Sequence, residues 1–435
     1  MHRILTALLL LTGLAGCFSD EDDQRPLRFG YAEVDLTPPV GTILGGFGYP
    51  GGTRKSTADH DPQYGQAALF VNGQGQSFLL LTLDSAGYLY DFGDWGPGVA
   101  VLRQRISEAL QGQVNIEPEH VLLTSSHTHA GTDLMGFWVR AGEGPDKDLL
   151  DQHITELTRI SVEAADALAP AELWLGRTAL PGVAKRDGPC SDVTDDSVEI
   201  LQVRAPDGTV QVTIAAYALH PTFSGYDNTE SSSDFVWGFR EEMTAATGGP
   251  AMYLQGAIAA VHEVGESVPG EGWERVYAMG RILADAVLAA EPGFERATEH
   301  GIEHRHQMFE SVCVGDYMVT MYELFDMPKR YVEERGDEVI VSHLEVSWHR
   351  LGPAGFIGWP GEPTPEYSLA LKARMGSTDH DIMVGLANDS IGYLIDEASI
   401  AKDTSGQLED YELQMGCGQP IGPAAWEATE AMGWF

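Results

Sequence analysis

Residues 120–133 read "HVLLTSSHTHAGTD", with two imidazoles, His127 and His129, one residue apart where an apolar run gives way to a glycine turn. A neutral imidazole is the commonest protein metal ligand, and it is also the side chain whose ordinary pKa suits proton transfer near neutrality. Residues two apart on a strand share a face, but a turn this close leaves the pair free to diverge. A second apolar run, "AAYALHPTFSG", delivers His220 to a strand end before Pro221 stops it. A third, "FIGWPGEPTPE", ends at Glu362, just ahead of a helix. A carboxylate beside two histidines is a common zinc-binding combination. Each signal alone also fits a plainer role, a satisfied core histidine or a carboxylate acting on a helix N-terminus. Strand ends are nonetheless where α/β proteins build their sites.

Other chemistries leave no matching pattern. The dinuclear-hydrolase arrangement HxHxDH fails at Gly131 and Thr132, and neither HExxH nor a GxSxG nucleophile elbow occurs. No CxxC is present, so a cysteine zinc site is disfavoured.

The elements that must position these residues alternate between strand-like and helix-like segments. The spacing predicts two strands within 68–84, a helix over 98–112, a buried strand before His127 and a long helix over 148–170. A hairpin through "PDG" follows at 197–221, then two helices flanking the short strand "AMYLQG". Further strands are expected at 338–349, 354–359 and 381–387, with a helix near 364–375. The mixture argues for an α/β chain of layered mixed β-sheets covered by helices, a single large catalytic domain over 28–435.

The chain has 435 residues, 43% of them hydrophobic, which suffices for a sizeable core. Its 65 acidic and 26 basic side chains give a net charge of -39, which disfavours nucleic acid and anionic lipid headgroups as principal partners. The opening "MHRILTALLLLTGLAGCFSD" has a basic start and an apolar run too short to span a bilayer. Its "LAGC" resembles the bacterial lipoprotein cleavage box. The expected organisation is a signal peptide over 1–16, a lipidated Cys17 and an acidic tether over 17–27. That makes the protein exported and lipid-anchored in the bacterial cell envelope. Cys190, Cys313 and Cys417 then permit at most one disulfide, with the pairing open.

Seven segments across most of 28–415 occur in an order that resembles the catalytic domain of the neutral/alkaline, non-lysosomal ceramidases. They are "FGYAEVDLTPPVGTILGGFG", "HDPQYGQAALFV", "LLLTLDSAG", "VLLTSSHTHAGTD", "ALHPTFSG", "WPGEPTPE" and "GLANDSIGYL". The resemblance implies one zinc ion held by His127, His220, Glu362 and Tyr393. It implies that His129, near its ordinary pKa, gives a proton to a leaving amine, and that Arg186 of "VAKRDG" and Tyr411 of the Tyr411–Glu412 pair stabilise the oxyanion. The implied activity is zinc-dependent hydrolysis of a small-molecule or lipid amide, ceramide-like N-acyl substrates or a related amide or ester. The sequence departs from the family where "LQGAIAAVHEVG" sets Ala259, Ala260, Val261 and His262 in place of a "GDVSP"-like stretch. His262 is therefore expected to line the pocket and change the substrate class. The same departure supports an alternative, a non-catalytic surface lipoprotein that binds a ligand in the cleft. Phosphoester or sulfoester hydrolysis fits one zinc and one arginine less well.

Overall fold

A computed structural model describes residues 26–48, 53–140, 143–186, 191–313, 332–336, 338–374, 378–402 and 421–433. The apolar start with Cys17, and Cys190, Tyr411 and Cys417, lie outside these residues. Among the described residues no helix is long and apolar enough to cross a membrane.

Three larger sheets organise the chain, and each contains one parallel strand pair joined through a helix. In the first sheet the order is Val121–Ser125, Ser77–Leu83, Tyr64–Val71, Arg28–Asp35 and Ala169–Pro170. Its parallel pair, Ser77–Leu83 with Val121–Ser125, crosses over through the helix Val99–Ala109. The second sheet runs Ala251–Gln255, Val210–Tyr217, Ser197–Arg204, Glu172–Ala179 and Glu295–Arg296. There the helix Phe235–Thr247 connects the parallel strands Val210–Tyr217 and Ala251–Gln255. In the third sheet Ile302–Cys313, Glu338–Leu351, Ala354–Gly358 and His380–Val384 follow in order, with Val332–Arg335 beside Glu338–Leu351. The helix Pro365–Arg374 joins its parallel pair, Ala354–Gly358 with His380–Val384.

Side chains alternate across a strand, so each sheet offers two apolar faces. One face of the first sheet, with Phe70, Leu80 and Leu122, meets Leu201, Ile214 and Leu254 of the second sheet and Phe356 and Ile382 of the third in a common core. The opposite face, with Leu69, Leu81 and Leu123, packs on the helices Val99–Ala109 and Lys147–Asp166. Ile200, Ala215 and Tyr253 turn the outer face of the second sheet onto Phe235–Thr247 and Gly272–Ala290. Helices cover the outer faces as expected, whereas the inner faces cover one another. Burial on both sides explains why "SFLLLTL" reads as a continuous apolar run.

Two buried ion pairs fix the layers. Arg103 Nη1 donates to both oxygens of Glu345, at 3.0 and 2.8 Å, tying Val99–Ala109 to the third sheet. Arg240 on Phe235–Thr247 grips Asp84, just past Ser77–Leu83, with Nη2 to Oδ1 at 3.1 Å and Nη1 to Oδ2. Removing one partner of such a pair leaves a buried charge alone, at a cost of about 3–5 kcal/mol.

Candidate metal centre

The parallel pairs deliver three side chains to one place. Ser126 extends the first ladder by one bond, its N–H donating to the Leu83 carbonyl at 2.9 Å. His127 then adopts φ of 65°, the left-handed region that non-glycine residues rarely occupy. That turn takes its ring out of strand register, so His127 and His129 meet edge-on with centroids 4.8 Å apart. His220 lies three residues past Val210–Tyr217, and the N–H of His129 donates to the Pro221 carbonyl at 3.1 Å, joining the two histidine loops. Glu362 opens a two-residue strand that runs parallel to Tyr393–Leu394, with Tyr393 directly opposite.

Gln255, fully buried at the end of its strand, holds the two loops in register. Its Nε2 donates to the carbonyls of Ser126 at 2.8 Å and Leu219 at 3.2 Å, the residues immediately before His127 and His220. Its Oε1 accepts from Gly256 N–H at 3.1 Å and from the Tyr253 hydroxyl at 3.0 Å.

The donor atoms fit a metal ion. His127 Nδ1 donates to the Ala86 carbonyl at 2.5 Å and His220 Nδ1 to the Val261 carbonyl at 2.9 Å. With those protons committed, each Nε2 keeps a lone pair. Both lone pairs face Glu362 Oε2, at 3.5 Å from His127 and 3.1 Å from His220, and that oxygen is buried without a hydrogen-bond partner. Acceptors facing one another in a dry site are held by a bound cation or by a proton between them. Ligands about 2.0–2.1 Å from a tetrahedral zinc lie about 3.3–3.4 Å apart, the spacing found here. Burial favours the uncharged forms: it pulls His127 down and His220 down to about 4, so both imidazoles are neutral at neutral pH, and it pushes Glu362 up, which a cation bound between them would offset.

His129 is built differently. Its Nε2 lies 3.2 Å from His127 Nε2, and the donor atoms of His127, His129 and His220 all fall within 4.8 Å of one another. Its Nδ1, however, is buried with no partner, so its ring lacks the carbonyl anchor that His127 and His220 have. A Cβ on Gly46, at φ of +92°, would stand 2.3 Å from the His129 ring, so only glycine fits there. Phe47 packs edge-on against His129 with centroids 4.7 Å apart. The expectation that His129 titrates near its ordinary value is not met. Burial first, then His127, His220, His262 and Arg54, hold it well below.

Tyr393 is buried, its ring 6.5 Å from that of His220. His262 lies on Val261–Glu263, paired with Ala184–Arg186, and its ring stacks on His220 at 4.7 Å and 28°. Arg186 is opposite Val261 in that pairing, with Nη1 donating to Glu366 Oε2 at 2.6 Å and to Ser399 Oγ at 3.3 Å. Its charge is thus engaged by a carboxylate four residues after Glu362. Sequence reasoning missed Gln255 and Arg54. A polar residue closing the apolar strand "AMYLQ" was the available signal for Gln255, whereas nothing in "GGTRKST" marks Arg54.

No protein-family model and no curated protein sequence matches the chain. Solved structures do. The neutral ceramidase from Pseudomonas aeruginosa superposes with a TM-score of 0.72 at 14% identity, over 94% of this chain and 74% of that one. A ceramidase complexed with C2 gives 0.72 at 13% identity over the same shares. The chain therefore has the fold of the neutral ceramidases.

Proposed function

We propose that this protein is a zinc-dependent hydrolase of acyl amides, acting on ceramide-like N-acyl lipids or on related amides and esters. The observation that carries the reading is the buried, unpartnered Glu362 Oε2 facing two Nε2 lone pairs whose rings are anchored through Nδ1. His127, His220 and Glu362, with Tyr393 beside them, would hold the ion. When bound, zinc supplies a Lewis acid that polarises a carbonyl and makes water a competent nucleophile near neutral pH.

The remaining work falls to the protein's own groups. His129, buried and neutral at neutral pH, takes up the proton that the attacking water loses and, now imidazolium, passes it to the leaving nitrogen as the carbon–nitrogen bond breaks. Arg186, oriented by Glu366, and Tyr411 donate to the developing oxyanion. His262 adds a polar edge beside His220. Elemental analysis of the purified protein, followed by a screen of acyl amides and esters, tests the reading. A metal-free protein, or one zinc per chain with no cleavage across the screen, would count against it.

We further propose that the chain is exported and anchored by lipid on Cys17. Intact mass of membrane-extracted protein should show an acylated cysteine at the mature N-terminus. A soluble protein starting elsewhere overturns the anchor.

A further inference from the structure

Arg54 differs from the buried arginines around it. Acidic side chains outnumber basic ones by 65 to 26, yet among the described residues no carboxylate lies within 4.0 Å of Arg54. The other arginines beside this core, Arg103, Arg186 and Arg240, are each paired with one. Arg54 Nη2 donates to the carbonyls of Gly45, at 3.0 Å, and of His129. Its Nε and Nη1 are buried with no hydrogen-bond partner. Beside it His129 Nδ1 is also buried and unpartnered. The guanidinium lies 5.1 Å from the centroid of Phe47, whose ring in turn touches His129 and, at 5.9 Å, the exposed Tyr226.

A buried donor without an acceptor costs about 1–3 kcal/mol, more for a charged group. Two such donors on one cation, shut from bulk water, call for an anionic acceptor brought in by a ligand. A carboxylate oxygen is the acceptor that a buried guanidinium N–H binds most strongly. The position of Arg54 says which part of a substrate bears that group. Arg54 holds the backbone of His129, the residue that meets the leaving nitrogen in the proposed reaction. We infer that Arg54 is an anion-recognising subsite on the amine side of the scissile bond, so that the preferred substrates are N-acyl amino acids rather than neutral N-acyl amines. This rests on the amide-hydrolase reading for the reaction, but the subsite itself is a matter of binding. Phe47 and Tyr226 would flank the chain next to the carboxylate.

The test uses the zinc-loaded full-length protein, its Arg54→Met and Arg54→Lys variants, and two matched ligand pairs. The first pair is N-octanoylglycine and its neutral carboxamide, compared by kcat/KM. The second is the uncleavable ketone isosteres of the same two molecules, with methylene in place of the amide nitrogen, compared by calorimetric Kd. The expected result is a preference of about tenfold or more for the carboxylate in both pairs. Arg54→Met should erase it at unchanged zinc content, and Arg54→Lys should restore part of it. Preference for the carboxylate isostere without cleavage of either amide would retain the subsite and reject the hydrolase. Equal binding of the two isosteres, or a preference that survives in Arg54→Met, overturns the subsite whatever the turnover.

Discussion

At the scale of single residues, the two imidazoles of HTH differ in what their second nitrogen does. His127 Nδ1 is tied to the Ala86 carbonyl, as His220 Nδ1 is tied to Val261, and that anchorage is what orients a metal ligand. His129 Nδ1 has no such tie. The two substitutions should therefore separate. His220→Ala should lose most of its zinc while the chain stays folded, read by elemental analysis and circular dichroism. His129→Asn should keep one zinc per chain and lose about 10²–10⁴ in kcat, the usual size of a general-acid contribution. Full zinc in His220→Ala, or near-native turnover in His129→Asn, would reverse the assignment.

At the scale of elements, the centre depends on strand ends from three sheets meeting at a fixed distance, and Gln255 is the cross-brace between two of them. Its amide bridges the carbonyls before His127 and His220. Gln255→Met keeps the length and removes both donors. The expected outcome is cooperative unfolding as before, with metal affinity lowered about ten- to a hundredfold, the range seen when outer contacts of ligands are lost. Chelator competition measures the affinity. The visible spectrum of the cobalt-substituted protein reports ligand geometry, a readout that general loosening of the core would not shift. Native affinity with an unchanged cobalt spectrum would reduce Gln255 to a packing residue.

At the scale of the whole molecule, buried neutral histidines make stability depend on pH. His153, on the long helix Lys147–Asp166, is fully buried with Nδ1 donating to the Leu149 carbonyl at 2.7 Å, and burial pulls its pKa from 6.5 to about 4. Between those values the unfolded chain binds the proton and the folded chain does not. Its contribution is thus intact above 6.5 and lost as pH falls towards about 4, at about 1.4 kcal/mol per pH unit within the window. His153→Leu lacks this proton uptake. Urea midpoints of the two proteins should diverge in favour of the leucine variant as pH drops through that window. Curves that stay parallel would show that His153 is protonated in the fold.

The sequence by itself determined the local elements and the ends at which they stop. The helix expected over 98–112 is Val99–Ala109, that over 148–170 is Lys147–Asp166, and the strand expected at 381–387 is His380–Val384. Periodicity, glycine and proline are near-neighbour signals, so a linear reading can hold them. Strand-end placement of His127, His220 and Glu362 was legible for the same reason. The strands Glu172–Ala179 and Ile302–Cys313 were not, because glycine interrupts the first and charged residues are mixed through the second. Only the tertiary structure decided that the sheets bury their inner faces against one another, that Arg186 is engaged by Glu366, that Gln255 braces Ser126 and that Arg54 lies beside His129. Each of those contacts joins residues 75 or more positions apart. Which buried donor finds an acceptor, and how far burial moves the pKa of His129, follow from three-dimensional neighbours that no local pattern encodes.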